Sequence, residues 1–226
     1  MRVIGGSFGG RRLRAVEGHL TRPTSDRVRE ALFSRIDARY GLEGVSVLDV
    51  FAGTGALAIE ALSRGARRAV CIELERRAIE TLRSNLRELE LEQRVRVIGD
   101  DYRKVLARLA AGDATRSGPD ARSGPPDAAA KRRFDGVFID PPYGKGLAIA
   151  ALQLVAELGL VRGGGWISVE VGRREPTPQM VASARMALRR VREDAYGDTK
   201  LALYEAEAPG AHNEIAAAMS AVEVER

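Results

Sequence analysis

The chain of 226 residues is long enough for one α/β domain with a modest extension. Hydrophobic residues make up 45% of it, enough for a sizeable core, and its single cysteine, Cys71, excludes a framework of intramolecular disulfides. The two histidines, His19 and His212, lie far apart, so we expect neither a His-based triad nor a metal site. Because we find no N-terminal targeting segment and no apolar run of transmembrane length, we expect a cytoplasmic protein that does not enter membranes.

The net charge of +5 is concentrated at the start of the chain. Residues 1–35 contain eight arginines and three acidic residues. This segment therefore carries the whole excess of positive charge, and the rest of the chain has no net charge. A basic segment on a neutral body is typical of a protein that binds a polyanion, and nucleic acid is the partner we expect; a solvated basic face is the alternative. The arginines expected to contact it are Arg11, Arg12, Arg14, Arg22, Arg27 and Arg29.

The first 40 residues predict a short hairpin followed by a helix. Residues 2–16 alternate loosely between apolar and polar and are interrupted by two glycine pairs, as in a hairpin or an arm. Residues 21–26 (T-R-P-T-S-D) include side chains that can cap a helix. Apolar residues then follow at helical spacing to about Arg39, and Gly41 ends the helix. The basic charge therefore lies on a hairpin and on the start of a helix.

A glycine-rich turn follows the first predicted core strand. Residues 45–51 are mostly apolar, and residues 52–58 (A-G-T-G-A-L-A) match G-x-G-x-x-A at a helix start, where backbone N–H groups can approach a ligand. This pattern fits NAD, FAD or S-adenosylmethionine. The next strand ends at Glu73, about 20 residues after the glycines, where a carboxylate can hold a ribose diol. A solvated strand end is the alternative for this residue.

Two further segments have distinct compositions. A third strand at 95–98 is followed by Asp100 at a position where it can meet a purine edge; helix capping by Asp100 or Asp101 is an equal alternative. Residues 112–133 contain R-S-G-P twice and show no apolar period. We expect this stretch to be a disordered surface insertion.

The strongest functional signal lies at residues 134–143. A buried strand at 134–139 ends at Asp140, because Pro141 and the proline after it cannot donate to a sheet ladder. Ligands of open α/β sheets bind at the carboxyl ends of the strands. The Asp140 carboxylate and the Pro141 carbonyl can accept hydrogen bonds from an amino group on a flat ring, and Tyr143 can stack on the ring face. An ordinary strand-ending turn with a chance aromatic is the alternative.

The remaining residues continue the alternation of strands and helices. Apolar spacing predicts helices at 146–158 and 176–186, a strand at 166–171 and a closing hairpin at 187–205. A polar, alanine-rich tail follows at 208–226. Alternation without a repeat predicts a doubly wound α/β sheet in which the last strand is antiparallel.

Together these motifs resemble those of Rossmann-like amino-methyltransferases that use S-adenosylmethionine. The form D-x-F-A-G-x-G at residues 49–55 and the Asp-Pro-Pro-Tyr turn distinguish the chain from NAD enzymes, which the glycines alone cannot do. More specifically, the chain resembles the RsmD family, the bacterial methyltransferases of guanine N2 in small-subunit rRNA. The segments that carry this resemblance are 4–6 (I-G-G), 21–24 (T-R-P-T), 26–33 (D-R-V-R-E-A-L-F) and 60–66 (E-A-L-S-R-G-A).

The resemblance implies a class I methyltransferase domain at 41–207, with a seven-stranded sheet, behind a basic extension at 1–40 that contacts RNA. It implies S-adenosylmethionine as cofactor, no metal, and ribosomal RNA within a small-subunit particle as partner. The residues it assigns to the cofactor are Asp49, Phe51, Gly53, Gly55, Glu73 and Asp100, with Glu73 on the ribose and Asp100 near the adenine. The residues it assigns to the guanine and the catalysis are Asp140, Pro141 and Tyr143.

Three other functions share parts of this pattern. DNA adenine-N6 or cytosine-N4 methyltransferases use the same turn but usually carry a sizeable target-recognition region, for which the chain has little room. A non-catalytic RNA-binding assembly factor would not need both an intact glycine turn and an intact Asp-Pro-Pro-Tyr turn. An NAD oxidoreductase would need a proton donor beside the hydride site, and the sequence indicates none. We therefore expect an rRNA guanine-N2 methyltransferase.

Overall fold

The computed structural model describes residues 1–16, 26–112 and 133–207. Its helices are α1 (Asp26–Tyr40), α2 (Ala56–Ser63), α3 (Arg76–Glu88), α4 (Tyr102–Ala110) and α5 (Leu147–Leu158). Its strands are β1 (Ser46–Asp49), β2 (Arg68–Glu73), β3 (Val95–Gly99), β4 (Phe134–Ile139), β5 (Val161–Gly172), β6 (Met180–Ala182), β7 (Ala187–Tyr196) and β8 (Thr199–Ala206). None of these helices is long and apolar enough to cross a membrane. The tail at 208–226, and the insertion at 112–133 except for its two end residues, lie outside the described residues.

The eight described strands form one sheet in the order β3-β2-β1-β4-β5-β8-β7-β6. Strands β1 to β5 are parallel, and β8 lies antiparallel between β5 and β7. The predicted doubly wound sheet with an antiparallel last strand is therefore confirmed. Helices cover both faces of the parallel part, which explains why its central strands are apolar on both sides.

The prediction of a helix at 176–186 is wrong. This segment contains β6, which pairs antiparallel with β7 and is the outermost strand on that side of the sheet. Pro176 and Pro178 have no backbone N–H and so interrupt a helical ladder. The Ser183 N–H donates to the Met186 carbonyl at 2.9 Å in the turn between β6 and β7. Within the described residues the sheet therefore has eight strands rather than the seven that the resemblance implies.

Side chains alternate along β4 between two cores, one on each face of the sheet. Val137 and Ile139 pack with α4 and α5, whereas Phe138 packs with α1, α2 and α3 on the other face. The Phe138 and Trp166 rings are in edge-on contact, with centroids 4.9 Å apart. A Cβ at Gly136 would lie 2.1 Å from the Trp166 ring, so only glycine fits at this position of β4.

The basic N-terminal hairpin is packed onto the domain by a buried carboxylate. Within the hairpin, the Val3 N–H donates to the Arg11 carbonyl at 2.9 Å. The carboxylate of Glu60 in α2 is fully buried and accepts the N–H groups of Ile4 at 2.7 Å and Gly5 at 2.9 Å. A buried carboxylate is costly unless donors satisfy it, and the hairpin supplies two of them. The hairpin and α2 are therefore fixed to each other.

The parallel register aligns the carboxyl ends of the central strands. Asp49, the last residue of β1, pairs with Cys71 in β2 and with Phe138 in β4. Glu73 and Asp140 each lie two residues beyond these partners, on the same face of the sheet because side chains alternate. Two carboxylates thus reach the same level at the carboxyl-terminal edge of the sheet, where the parallel strands end, one on either side of β1. This edge is the crevice in which the sequence predicts a ligand.

Candidate active site

The glycine turn between β1 and α2 is hydrogen-bonded to the end of β2. The Gly53 N–H donates to the Glu73 carboxylate at 2.7 Å, and the Ala52 N–H donates to the Ile72 carbonyl at 2.9 Å. Gly53 has φ +52°, and a Cβ built there would meet no atom within 4 Å. The backbone at Gly53 therefore faces open space, which lets a ligand approach it closely.

Gly55 has a different role from Gly53. It precedes α2 with φ +86°, a left-handed conformation that glycine adopts without strain. A Cβ at this position would lie 2.2 Å from a methyl group of Leu82 in α3. Gly55 is therefore required by the turn and by helix packing, whereas Gly53 is the glycine of this turn whose backbone is open to a ligand.

Glu73 is held in place at the end of β2 by backbone donors. Besides Gly53, the N–H groups of Leu74 and Glu75 donate to its carboxylate at 2.7 and 2.8 Å. A carboxylate offers about four acceptor sites, so three backbone bonds leave capacity for a hydroxyl. The ribose contact of Glu73 stays a prediction, and the carboxylate has the acceptor capacity that it needs.

Asp49 is a buried carboxylate without a hydrogen bond from any described residue. Burial, and then the charge of Glu73, raise the pKa of Asp49 to about 7. The backbone N–H groups of Phe51 and Ala58 lower this pKa, but neither makes a well-formed hydrogen bond to the carboxylate. A buried carboxylate at the foot of the glycine turn favours a cationic or donor group beside it.

The end of β2 carries an exposed apolar residue that the sequence analysis missed. Leu74 follows Glu73 directly, and 70% of its side chain is exposed. Its exposed apolar surface lies beside the proposed ribose contact, where it could lie against a flat ring. The signal was present in the sequence as an apolar residue immediately after the strand-ending acid.

The two acids after β3 have different roles, which the sequence analysis left open between helix capping and a contact with a purine. Asp101 caps α4 by accepting the Arg103 N–H at 2.9 Å, so the capping interpretation is confirmed for this residue. Asp100 accepts the Asp101 N–H and a hydrogen bond from the Arg108 guanidinium, both at 2.8 Å. These two donors hold the pKa of Asp100 below its usual value. Asp100 is thus a fixed anion at the edge, where its free lone pairs can face a purine amine.

Phe51 links the glycine turn to the start of α4. Its ring lies against the ring of Tyr102, with centroids 4.9 Å apart and the planes tilted by 54°. Tyr102 is the first residue of α4 and is buried. The contact packs the loop after β1 against the start of α4, next to the glycine turn.

The Asp-Pro-Pro-Tyr turn lies directly after β4. Asp140 is half-buried and Pro141 is buried, whereas Tyr143 is 44% exposed. The Tyr143 hydroxyl donates to the carboxylate of Glu170 in β5 and is 2.8 Å from the hydroxyl of Thr199 in β8. The turn therefore presents a carboxylate and an aromatic face at the edge that also carries Glu73. In the described part of the chain, no group of three acidic, histidine or cysteine side chains could hold a metal ion.

Two arginines of the hairpin lie beside α3. The Arg11 guanidinium donates to the Glu88 carbonyl at 3.1 Å, and the Arg14 guanidinium pairs with the Glu88 carboxylate at 3.2 Å. Arg12 and Arg27 are exposed, and Arg22 lies outside the described residues. The exposed arginines remain available to a polyanion.

Arg29 requires a correction to the predicted set. Only 1% of it is exposed, and its guanidinium donates to the Asp26 carboxylate at 2.8 Å and to the Arg2 carbonyl at 2.7 Å. A side chain buried between the hairpin and α1 cannot reach a phosphate. The sequence could not distinguish it from Arg27, because both lie in the first turn of the same helix.

Asn85 connects the hairpin to the glycine turn, and the sequence analysis missed it. This buried α3 side chain accepts the Arg14 N–H at 2.8 Å and donates to the Arg14 carbonyl at 3.2 Å. The same amide donates to the Thr54 carbonyl at 3.0 Å. One side chain thus bonds both the basic hairpin and the proposed cofactor turn.

Comparison with known proteins identifies the family of the chain. The family described as "Conserved hypothetical protein 95" matches residues 1–205. The YlbH protein of Bacillus subtilis is 37% identical over 206 residues, which cover 90% of this chain and 98% of that protein. Ribosomal RNA small subunit methyltransferase D of Escherichia coli is 32% identical over 210 residues, covering 93% and 92%.

A solved structure extends the likeness to the fold. The Escherichia coli yhhF protein superimposes with a TM-score of 0.70 at 32% identity, covering 92% of this chain and 98% of that chain. Sequence and structure therefore agree over nearly the whole described chain. The chain belongs to the RsmD family, the family of ribosomal RNA small subunit methyltransferase D.

Proposed function

We propose that the protein transfers a methyl group from S-adenosylmethionine to the exocyclic N2 amine of a guanine in small-subunit rRNA. The observation that carries the proposal is the register that brings Glu73 and Asp140 to one edge on either side of β1. Relatives bearing the name ribosomal RNA small subunit methyltransferase D support the choice of rRNA. The substrate is rRNA within a small-subunit particle, and the enzyme works in the cytoplasm.

The residues of the crevice fit the cofactor. The backbone at Gly53 is open to approach, and the unpaired carboxylate of Asp49 suits the ammonium of the methionine part. Glu73 has acceptor capacity for the ribose hydroxyls, and Leu74 and Asp100 offer an apolar face and an acceptor to the adenine. When bound, the cofactor supplies an electrophilic methyl group on a sulfonium.

Asp140 and Pro141 orient the target amine. The lone pair of an aromatic amine is delocalised into the ring, so the amine is a poor nucleophile. Hydrogen bonds from its two N–H groups to the Asp140 carboxylate and the Pro141 carbonyl direct the nitrogen toward the methyl group. Holding two reactants in this way lowers a barrier by about 7–11 kcal/mol in favourable cases.

The charge of Asp140 acts in the same step. As the N–C bond forms and the C–S bond breaks, positive charge develops on the amine nitrogen, and an adjacent carboxylate stabilises it. The methylated ammonium is strongly acidic, so a weak base such as Asp140 can accept its proton or pass it to water. The guanine reaches this turn only when it is unstacked, which favours a loop nucleotide.

The direct test of the function is methyl transfer to defined RNA. Purified protein is incubated with isotope-labelled S-adenosylmethionine and with small-subunit rRNA, either free or in particles from cells that lack the enzyme. Nucleoside mass spectrometry is expected to find the label in N2-methylguanosine, and more of it with particles. Label in N6-methyladenosine or N4-methylcytidine, or in DNA, would contradict the proposed substrate.

Asp49 makes cofactor affinity depend on pH. A cationic ammonium beside Asp49 favours its ionised form, so below the pKa of about 7 binding must release a proton from Asp49. Affinity should therefore rise as the pH increases toward about 7 and then level off. Calorimetric titration of the wild type and of Asp49→Asn measures this, and the variant should show a flatter dependence. Parallel curves for the two proteins would remove Asp49 from the ammonium site.

The exposed arginines of the hairpin should supply RNA affinity without affecting the cofactor. Replacing Arg11, Arg12 and Arg14 by Ala leaves the backbone bonds to α2 and α3 in place. The slope of log affinity against log salt should become shallower by about 2 for single-stranded RNA. The control is Arg162→Ala, an exposed arginine near the start of β5, at the amino-terminal end of the parallel strands. An unchanged slope in the triple variant would exclude the hairpin from the RNA contact.

A further inference from the structure

The Tyr143 ring is held by its hydroxyl. The hydroxyl donates to the Glu170 carboxylate and lies 2.8 Å from the Thr199 hydroxyl, whereas the residue as a whole is 44% exposed. Glu170 is 4% exposed. The polar end of the side chain is thus held by a buried carboxylate, while much of the residue stays exposed at the turn after β4.

The sheet register makes this contact possible. Ile139 in β4 pairs with Val169 in β5, so Asp140 and Glu170 follow at the same level of neighbouring parallel strands. On the other side of β5, Gly172 pairs with Thr199 at the start of β8. The antiparallel strand β8 therefore brings a hydroxyl to the same place as the β5 carboxylate.

A second carboxylate holds the residue that follows Tyr143. Glu175, in the loop after β5, accepts the Gly144 N–H and the Gly172 N–H, both at 3.1 Å. The turn after β4 is thereby bound to the end of β5 by a side-chain bond at Tyr143 and a backbone bond at Gly144. Both bonds restrict how the Tyr143 ring can tilt.

Stacking alone does not require this arrangement. A phenylalanine ring stacks on a base as well as a tyrosine ring, and burying a carboxylate costs free energy unless donors satisfy it. Burial and the charge of Glu170 raise the pKa of Tyr143 well above its usual value, so the hydroxyl stays protonated and remains a donor. The contact is therefore available throughout the physiological pH range.

We propose that Glu170 is a positioning residue that acts through Tyr143, fixing the plane of the ring so that the target base stacks with its amine at Asp140. This inference rests on the proposed function, since it concerns the base that is methylated. Glu170 touches neither the base nor the cofactor. Its removal should slow methyl transfer and leave cofactor affinity unchanged, because a loosely held ring spends less time in the productive geometry.

The test is a double-mutant cycle on single-turnover methyl transfer to rRNA. Tyr143→Phe and Glu170→Ala both remove the bond between these two side chains, and Tyr143→Phe also removes the contact with Thr199. Each should lower the rate about tenfold, the scale of one hydrogen bond to a charged group. The double variant should be no slower than the slower single variant. Glu170→Gln keeps an acceptor of the same size and should retain most of the rate. Cofactor affinity should stay within about twofold in all four.

Two controls separate positioning from general damage to the sheet. Glu205→Ala removes a carboxylate of β8 that bonds Arg39 and Tyr40 in α1, away from the Asp-Pro-Pro-Tyr turn, and should not change the rate. Ultraviolet titration of the phenol, taken as the difference between each protein and its Tyr143→Phe counterpart, reports the bond without RNA. Loss of Glu170 should lower the pKa of Tyr143, because the Glu170 charge raises it.

The outcomes are distinct. A wild-type rate for Tyr143→Phe, or additive effects of Tyr143→Phe and Glu170→Ala, would overturn the proposal. If Glu170→Ala does not fold, the other two single variants still test the proposal. Tyr143→Phe should be slow, and Glu170→Gln should keep most of the rate. If the wild type methylates no RNA but the phenol titration shifts as expected, the proposed function fails and the hydrogen bond from Tyr143 to Glu170 stands.

Discussion

Parallel pairing of β1 with β2 on one side and β4 on the other is the constraint on which the site depends. Because Asp49 pairs with Cys71 and Phe138, the chain must place Glu73 and Asp140 at the same level of one edge. No loop geometry is needed to bring them together. A cofactor held by the turn after β1 and the end of β2 is therefore adjacent to whatever the turn after β4 binds.

The basic hairpin depends on the same scaffold through two buried polar side chains. Glu60 accepts the backbone N–H groups at its start, and Asn85 bonds the backbone of Arg14 while donating to the Thr54 carbonyl. Buried polar groups of this kind specify one arrangement, because any shift leaves them without partners. The segment proposed to bind RNA is thus held at a fixed position relative to the glycine turn.

The sequence predicts those parts of the site that are encoded locally. Glycines after a strand, an acid at the end of the next strand and prolines after Asp140 each have a direct steric or hydrogen-bonding meaning. What the sequence misses depends on contacts between distant segments. Arg29 lies in a basic stretch yet is buried under the hairpin, and Glu170 is recognised only when the register of β4 and β5 is known. The helix expected at 176–186 does not form, because two prolines interrupt its ladder and the short strand β6 within the segment pairs with β7.

The measurement that tests the central claim most directly compares Glu73→Ala with Asp140→Ala, each assayed for cofactor binding by calorimetry and for single-turnover methyl transfer to rRNA. Glu73→Ala should weaken cofactor binding by about 1–3 kcal/mol. Asp140→Ala should bind the cofactor nearly normally and lose at least about 10²–10³ in rate. Near-normal turnover by Asp140→Ala, or unchanged cofactor affinity in a folded Glu73→Ala, would contradict a division of the edge into a cofactor side and an amine side.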